Sequence, residues 1–426
     1  MSRETLQEWL VYIDRIHPRG IELGLGRVRA VYERMIPMSC PVITVGGTNG
    51  KGSTTAILES FYRAAGYRTG AYFSPHLMRY NERVRLNAEE AADEDLCQAF
   101  AAVEEARGGT SLTYFEFGTL AALWLFARTG VEVAILEVGL GGRLDAVNII
   151  DADVAVVVSV GTDHKDWLGP DRETIGREKA GIFRAGRPAI IGFDVSRSAV
   201  DEAERLGARA VMGGRDFSYE ERERSWHFTS AAGSRDLPYP ALCGRYQLAN
   251  ASCALAAAEA LPGLALTAQD LRAGLQAVRL AGRFQTLPGP GPRVIVDVAH
   301  NGEAAQALAR TLREQRAPGR TLAVVGMLKD KPIAEVFEAL RGSFDGWFLA
   351  SLDDPRGADG MFLKDALRGV GITPDGVYGD PVDAYKAALW CAGRDDRIVV
   401  FGSFKTVGAI LALMQDRRGG GGGRVV

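Results

Sequence analysis

Cysteine is scarce in this chain and forms no pattern. Five residues in 426 (Cys40, Cys97, Cys243, Cys253 and Cys391) are scattered with no CxxC pair. That argues against a disulfide framework, and reduced thiols in a cytoplasmic protein are expected. Long apolar runs are also missing. None reaches the roughly 18 residues of a membrane span, and the start, MSRETLQEWLVYIDRIHPRG, carries acids instead of the apolar core of a signal peptide. Charge of one sign is missing too: a formal net charge of -3 leaves no basic field for nucleic acid or a membrane surface. No internal repeat is present. The one low-complexity stretch is the five-glycine run 419–423, so 419–426 is expected to be a disordered tail.

What is present is a phosphate cradle. Residues 41–54 read PVITVGGTNGKGST. The apolar, β-branched start is a buried strand, and a helix runs on from Ser53 to about Ala64. Between them lies a glycine-rich turn holding Lys51. Backbone N–H groups, a helix N-terminus and an ammonium then face one anion, with Asn49, Gly50, Lys51, Gly52 and Ser53 as the candidate phosphate contacts. The spacing departs from the usual P-loop. Gly46 and Gly50 have three residues between them, and Gly52 separates Lys51 from Ser53. A flexible strand–helix turn therefore stays open as the plainer reading.

At 47% hydrophobic and 426 residues, the chain can bury sizeable cores in two or three domains. Apolar runs alternate with helical spacing throughout. Strands are expected at 69–73, 131–138, 153–160 and 188–193, and helices at 5–15, 93–107, 113–126, 173–183 and 248–261. Residues 79–85 look too polar and irregular for a core element, and 196–240 is weakly patterned. The run TLPGPGP (286–292), with three prolines and two glycines, is the linker candidate. Strand–helix alternation then restarts at 293. The expected division is 1–285, the linker 286–292, and 293–418. Both parts are α/β with mostly parallel sheets, the second being smaller.

Ligands of such sheets sit beyond the carboxyl ends of the strands. Polar residues there are Lys51 and Ser53; Ser74 and His76; Glu137, Arg143 and Asp145; Asp163, His164 and Asp166; Asp297, His300 and Asn301. Three of only five histidines fall at such ends. The hydroxyls of Ser53 and Ser74 and the carboxylate of Glu137 suit Mg²⁺, whereas His164 suits Mn²⁺ better. Glu137 reads also as a loop-capping acid, and His164 as a hydrogen-bonded structural imidazole. Lys179, in GREKAGI, reads as solvated or ion-paired. If it is buried, its amine can instead take up CO2 as a carbamate.

GGTNGKGST, SPHLMRYNERVRLN, TYFEFGTL, LEVGLGGRLDAVNI, DHKDWLGPDRETIGREKAGI, CGRYQLAN, AGRFQ and VDVAHN follow one another in order. Together they resemble bacterial folylpolyglutamate synthase/dihydrofolate synthase of the Mur ligase superfamily, over about 16–404. The cradle form GTNGKG[ST] is that superfamily's own. The resemblance implies an N-terminal P-loop ATPase domain (1–285) that binds ATP and the pterin, and a Rossmann-like C-terminal domain that closes over it. It implies ATP contacts at Asn49–Ser53, Asn250, Arg283 and Asp297, and Mg²⁺ at two sites on Ser53, Ser74, Glu137 and His164, with K⁺ as a further ion. Lys179 is implied to be carbamylated and, with Lys51 and His164, catalytic. Leu25, Gly26, Arg27, Thr113, Tyr114, Phe115, Glu116, Leu144, Asp145 and Ala146 are implied to line the pterin.

The implied reaction is ATP-dependent amide formation. An acceptor carboxylate takes the γ-phosphoryl group, and the amine of L-glutamate attacks the acyl phosphate. Dihydropteroate and reduced folates are the implied acceptors, on a monomeric enzyme. Polyglutamylation alone is the narrower alternative. A cell-wall Mur ligase would need an N-terminal domain for which the 45 residues before the cradle leave no room. A P-loop switch would need a base-reading motif such as NKxD, which is not found.

Overall fold

Runs that are apolar at every position pair at the centre of a sheet, because only there are both faces covered. The computed structural model describes residues 3–419. Its first main sheet is built from Val42–Gly46 (β1), Thr69–Tyr72 (β2), Val84–Leu86 (β3), Glu89–Glu90 (β4), Val133–Glu137 (β5), Val154–Ser159 (β6), Pro188–Asp194 (β7) and Arg209–Met212 (β8). Their order is β4-β3-β2-β5-β1-β6-β7-β8. The wholly buried VITVG and VAILE strands lie side by side at its middle. Pairing is parallel except at β3 and β4. From β1 the chain crosses over β5 to reach β2, and after β5 it returns to the other side as β6. The order reverses at β1, which puts the ligand crevice at its carboxyl end.

The first unit holds residues up to Ala241 and Gln247–Arg279; the second holds Leu242–Tyr246 and the chain from Leu280. In the first unit the weakly patterned middle forms an antiparallel sheet, Phe217–Glu221 (β9), Trp226–Ser230 (β10) and Gly233–Leu237 (β11). Its aromatic cluster, Phe217, Tyr219, Trp226 and Phe228, is brought together by cross-strand pairing that local spacing does not reveal, and Phe193 of β7 packs against it. Residues 79–85 also differ from expectation. They form a short 3-10 helix, Tyr80–Arg83, and β3, with Tyr80, Asn81 and Val84 buried.

The second unit contains Gln285–Leu287 (β12), Arg293–Val296 (β13), Thr321–Val325 (β14), Gly346–Ala350 (β15), Gly376–Tyr378 (β16) and Arg397–Phe401 (β17), ordered β12-β13-β17-β14-β15-β16. All pairs are parallel except β12 with β13. This corrects the linker. TLPGPGP closes the β12–β13 hairpin, with Leu287 opposite Val294, so it is internal to the second unit. The division falls instead after Arg279. Proline and glycine punctuate a hairpin turn as readily as a domain boundary, which is why the run misleads. The expected tail at 420–426 lies outside the described residues, while Gly419 ends the last helix, Phe404–Gly419. Among the described residues no helix is long and apolar enough to cross a membrane.

Candidate active site

β1 feeds a loop that only glycine can make. Gly47 has φ +143 and Gly50 φ +87. A Cβ on Gly50 would stand 2.3 Å from Asn250 Oδ1 and 2.9 Å from Val158 Cγ1. The loop is stitched to the end of β6. Thr48 N–H donates to Ser159 O (2.8 Å), and Ser159 Oγ accepts from Asn49 N–H (3.0 Å) and donates to Asn49 O (2.9 Å). The helix Lys51–Ala64 then starts with Gly52 and Ser53 buried. Its first-turn N–H groups lack intrahelical acceptors, which makes this end a site for an anion. Gly50→Ala is therefore expected to weaken binding of an ATP analogue by about tenfold or more, since left-handed strain and the displaced Asn250 each cost on the order of 1 kcal/mol. Isothermal titration measures it, with circular dichroism reporting an unchanged fold.

Two ammonium groups reach this loop. Lys51 Nζ donates to the carbonyls of Gly47 (3.1 Å) and Thr48 (3.2 Å). Lys179 lies near the end of the helix Arg172–Ala180, is 5% exposed, and donates from Nζ to Gly47 O at 2.9 Å. Close approach of small residues allows this. A Cβ on Gly142 would lie 2.6 Å from Lys179 O, and one on Gly181 would lie 2.4 Å from Arg143 Cβ.

Ser74 follows β2, and its N–H donates to Glu137 Oε2 at 3.1 Å, joining two neighbouring strand ends. Glu137 is buried. Ser74 Oγ is buried too and has no hydrogen-bond partner among the described residues. An orphaned hydroxyl beside a buried carboxylate fits a hard, oxygen-seeking cation. His164 has φ +54 and caps the short helix Lys165–Leu168; its N–H donates to Asp163 Oδ1 (2.8 Å), and its Nε2 is 3.8 Å from Asp163 Oδ2. Among the described residues no three His, Cys, Asp or Glu side chains gather as a metal cluster. The expected ligand set draws two of its four members, Ser53 and Ser74, from hydroxyls.

The segments expected to line the acceptor come together. Gly24 N–H donates to Leu144 O at 3.4 Å. Gly26 opens the helix Gly26–Tyr32, from which Arg27 pairs with Glu116 at 2.9 Å and also with Glu22. Thr113 caps the helix Tyr114–Thr129. Phe115 packs 5.9 Å from Tyr72, ring to ring, and its ring closes on Gly139. Asp145 accepts from Leu140 N–H (2.8 Å) and Val147 N–H (3.0 Å); burial pushes its carboxyl up to about 6, with Lys51 pulling the other way. In the second unit, Asp297 accepts from Phe284 and Ala299 N–H (2.8 Å each), and burial raises its carboxyl. Arg283 lies 5.4 Å over Phe404, and His300 Nδ1 is 2.8 Å from Val298 O. Ser159 and Thr48, which fix the loop, escape a reading that looks for charged residues. The visible signal is a lone serine ending VAVVVS.

Residues 45–258 match the Mur ligase middle domain, and 282–404 match the Mur ligase glutamate ligase domain. Fold and site together thus define an ATP-dependent ligase of the Mur class. The dihydrofolate synthase/folylpolyglutamate synthase of Escherichia coli K12 is 46% identical over 424 residues, covering 99% of this chain and 98% of that protein. The crystal structure of E. coli FolC in complex with DHPP and ADP superposes with a TM-score of 0.92 at 45% identity, covering 98% and 99% of the two chains. A bifunctional folylpolyglutamate synthase/dihydrofolate synthase with Mn, AMPPNP and L-glutamate bound gives 0.90 at 43%, covering 97% and 99%. The chain belongs to the dihydrofolate synthase/folylpolyglutamate synthase family.

Proposed function

We propose that this ligase adds L-glutamate both to dihydropteroate and to the glutamate tail of reduced folates, releasing ADP and phosphate. The observation that carries this reading is the Lys51 ammonium held on Gly47 O, at the end of the strand beside Glu137. Joining a carboxylate to the γ-phosphoryl group brings two anions together, so the reaction needs fixed positive charge at this point. The acceptor carboxylate attacks the γ-phosphorus and ADP leaves. The α-amine of glutamate then attacks the acyl phosphate carbonyl, and phosphate departs.

The cradle, Asn49 to Ser53 with Asn250, holds the phosphates in this scheme, and Lys51 holds their charge. We assign Arg283 and Asp297 to the nucleotide as well. Ser53, Ser74, Glu137 and His164 would hold Mg²⁺ or Mn²⁺, which neutralises phosphate oxygens when bound. We assign to Lys179 a carbamate: its amine adds CO2 and releases a proton, giving an anionic oxygen pair beside the loop. Leu25 to Arg27, Thr113 to Glu116 and Leu144 to Ala146 orient the pterin. Five free thiols, with Cys253 pushed up to about 12 by burial, support a reducing, cytoplasmic setting.

ADP release with a panel of acceptors tests the reading. Dihydropteroate and tetrahydrofolate should each trigger it in the presence of ATP, Mg²⁺ and glutamate. Release with tetrahydrofolate alone reduces the enzyme to polyglutamylation. Release only with a UDP-sugar peptide, or at the same rate without any acceptor, overturns the assignment.

A further inference from the structure

Most half-buried arginines of the first unit have a carboxylate. Arg27 pairs with Glu116, Arg85 with Glu59 and Arg107 with Glu104. Arg83 is the exception: it is only partly exposed, and among the described residues no carboxylate pairs with it. Its guanidinium sits 5.7 Å over the ring of Tyr80 and 5.6 Å over that of Tyr114, and it draws down the phenol of Tyr72, which burial raises. Nε–H donates to His76 Nδ1 at 2.8 Å. The backbone is tied to the same strand end as Ser74, through Phe73 N–H donating to Arg83 O at 2.8 Å.

These contacts leave part of the guanidinium to be satisfied. Arg83 is permanently charged, so His76 accepts with Nδ1, and a neutral ring carries its proton on Nε2. Nε–H is engaged by His76 and the Tyr72 phenol hydrogen-bonds to the guanidinium, so the remaining Nη–H donors are the ones left to present. Such donors match the oxygens of a carboxylate. A guanidinium half withdrawn from water with no counter-charge of its own favours an anionic ligand. The flanking tyrosine faces suit a flat aromatic one, and Tyr114 belongs to the acceptor segment. We propose that Arg83 binds a carboxylate of the acceptor substrate, with His76 as the residue that positions it. This rests on the acceptor pocket assigned above.

Steady-state kinetics of Arg83→Gln, Arg83→Lys and His76→Gln test it, with two acceptors. Dihydropteroate carries one carboxylate, the reacting one, whereas tetrahydrofolate carries two, the reacting γ-carboxylate and the α-carboxylate, both on its glutamyl group. Arg83→Gln should raise the acceptor KM by about tenfold or more. The KM for ATP should stay unchanged, and kcat should stay within about threefold, because uniform binding is what is lost. Arg83→Lys should recover part of the loss, and His76→Gln should show a smaller rise of the same kind. A rise for both acceptors places the reacting carboxylate on Arg83; a rise for tetrahydrofolate alone places the α-carboxylate there. Calorimetric titration of dihydropteroate without nucleotide should weaken in parallel if the reacting carboxylate is the one held. Unchanged KM for both acceptors in folded variants, or a fall in kcat alone, overturns the proposal. Turnover of dihydropteroate by the wild type tests the underlying reading separately.

Discussion

Lys51→Ala should lose ATP-dependent amide formation by on the order of a thousandfold in kcat, as when a preorganised charge is removed from a transition state. The lost ammonium is the one that Gly47 and Thr48 hold over the loop. The loop itself should survive, because Thr48 and Asn49 remain tied to Ser159 by three hydrogen bonds. A thermal melt within a few degrees of wild type, alongside absent ADP release, is the expected pair of results. Activity within a few-fold of wild type would mean that the cradle does not hold the reacting phosphates.

Lys179→Ala should be nearly as damaging, for a different reason. Lys179 is 5% exposed, and its Nζ donates to Gly47 O at 2.9 Å. Burial disfavours the charged ammonium and favours the neutral amine to which CO2 adds. With ¹³C-labelled bicarbonate, the wild type should give a carbamate carbon resonance that the alanine variant lacks. Lys179→Glu should recover part of the activity, because it returns an anionic oxygen to the same wall. A free amine on Lys179 in a nucleotide-bound structure prepared with excess bicarbonate would refute the carbamate and leave the lysine as a second ammonium.

Much of this was readable from residues. β1, β5 and β6 announce themselves as unbroken apolar runs, and Gly47, Gly50 and Lys51 mark the turn from β1 into its helix. The strand-end rule found Ser74 and Glu137, which share a hydrogen bond. Less legible were elements whose stability is nonlocal. β3, β4 and β16 are two or three residues long and get their conformation from a neighbour across the sheet. β9 to β11 mix polar and aromatic residues with no run long enough to see. Lys179 sits in a polar helix whose own sequence gives no sign that it ends against Gly47. That burial depends on glycines 142 and 181 in contact with it, one of them far off in sequence. TLPGPGP failed in the opposite way, being conspicuous for a reason other than the one it suggests.

The segment Leu242–Tyr246 carries a consequence for how the chain can be divided. It belongs to the second unit, although residues on both sides of it belong to the first. Gln315 donates to Cys243 Sγ from within the second unit at 2.7 Å. The polypeptide therefore passes from one unit to the other three times, after Ala241, after Tyr246 and after Arg279. No single cut yields two whole halves. A fragment starting at 280 is a body with one piece of its wall missing, and a fragment ending at 279 carries that piece with nothing to pack on. The two units alternate along the chain, so separating them takes more than one junction.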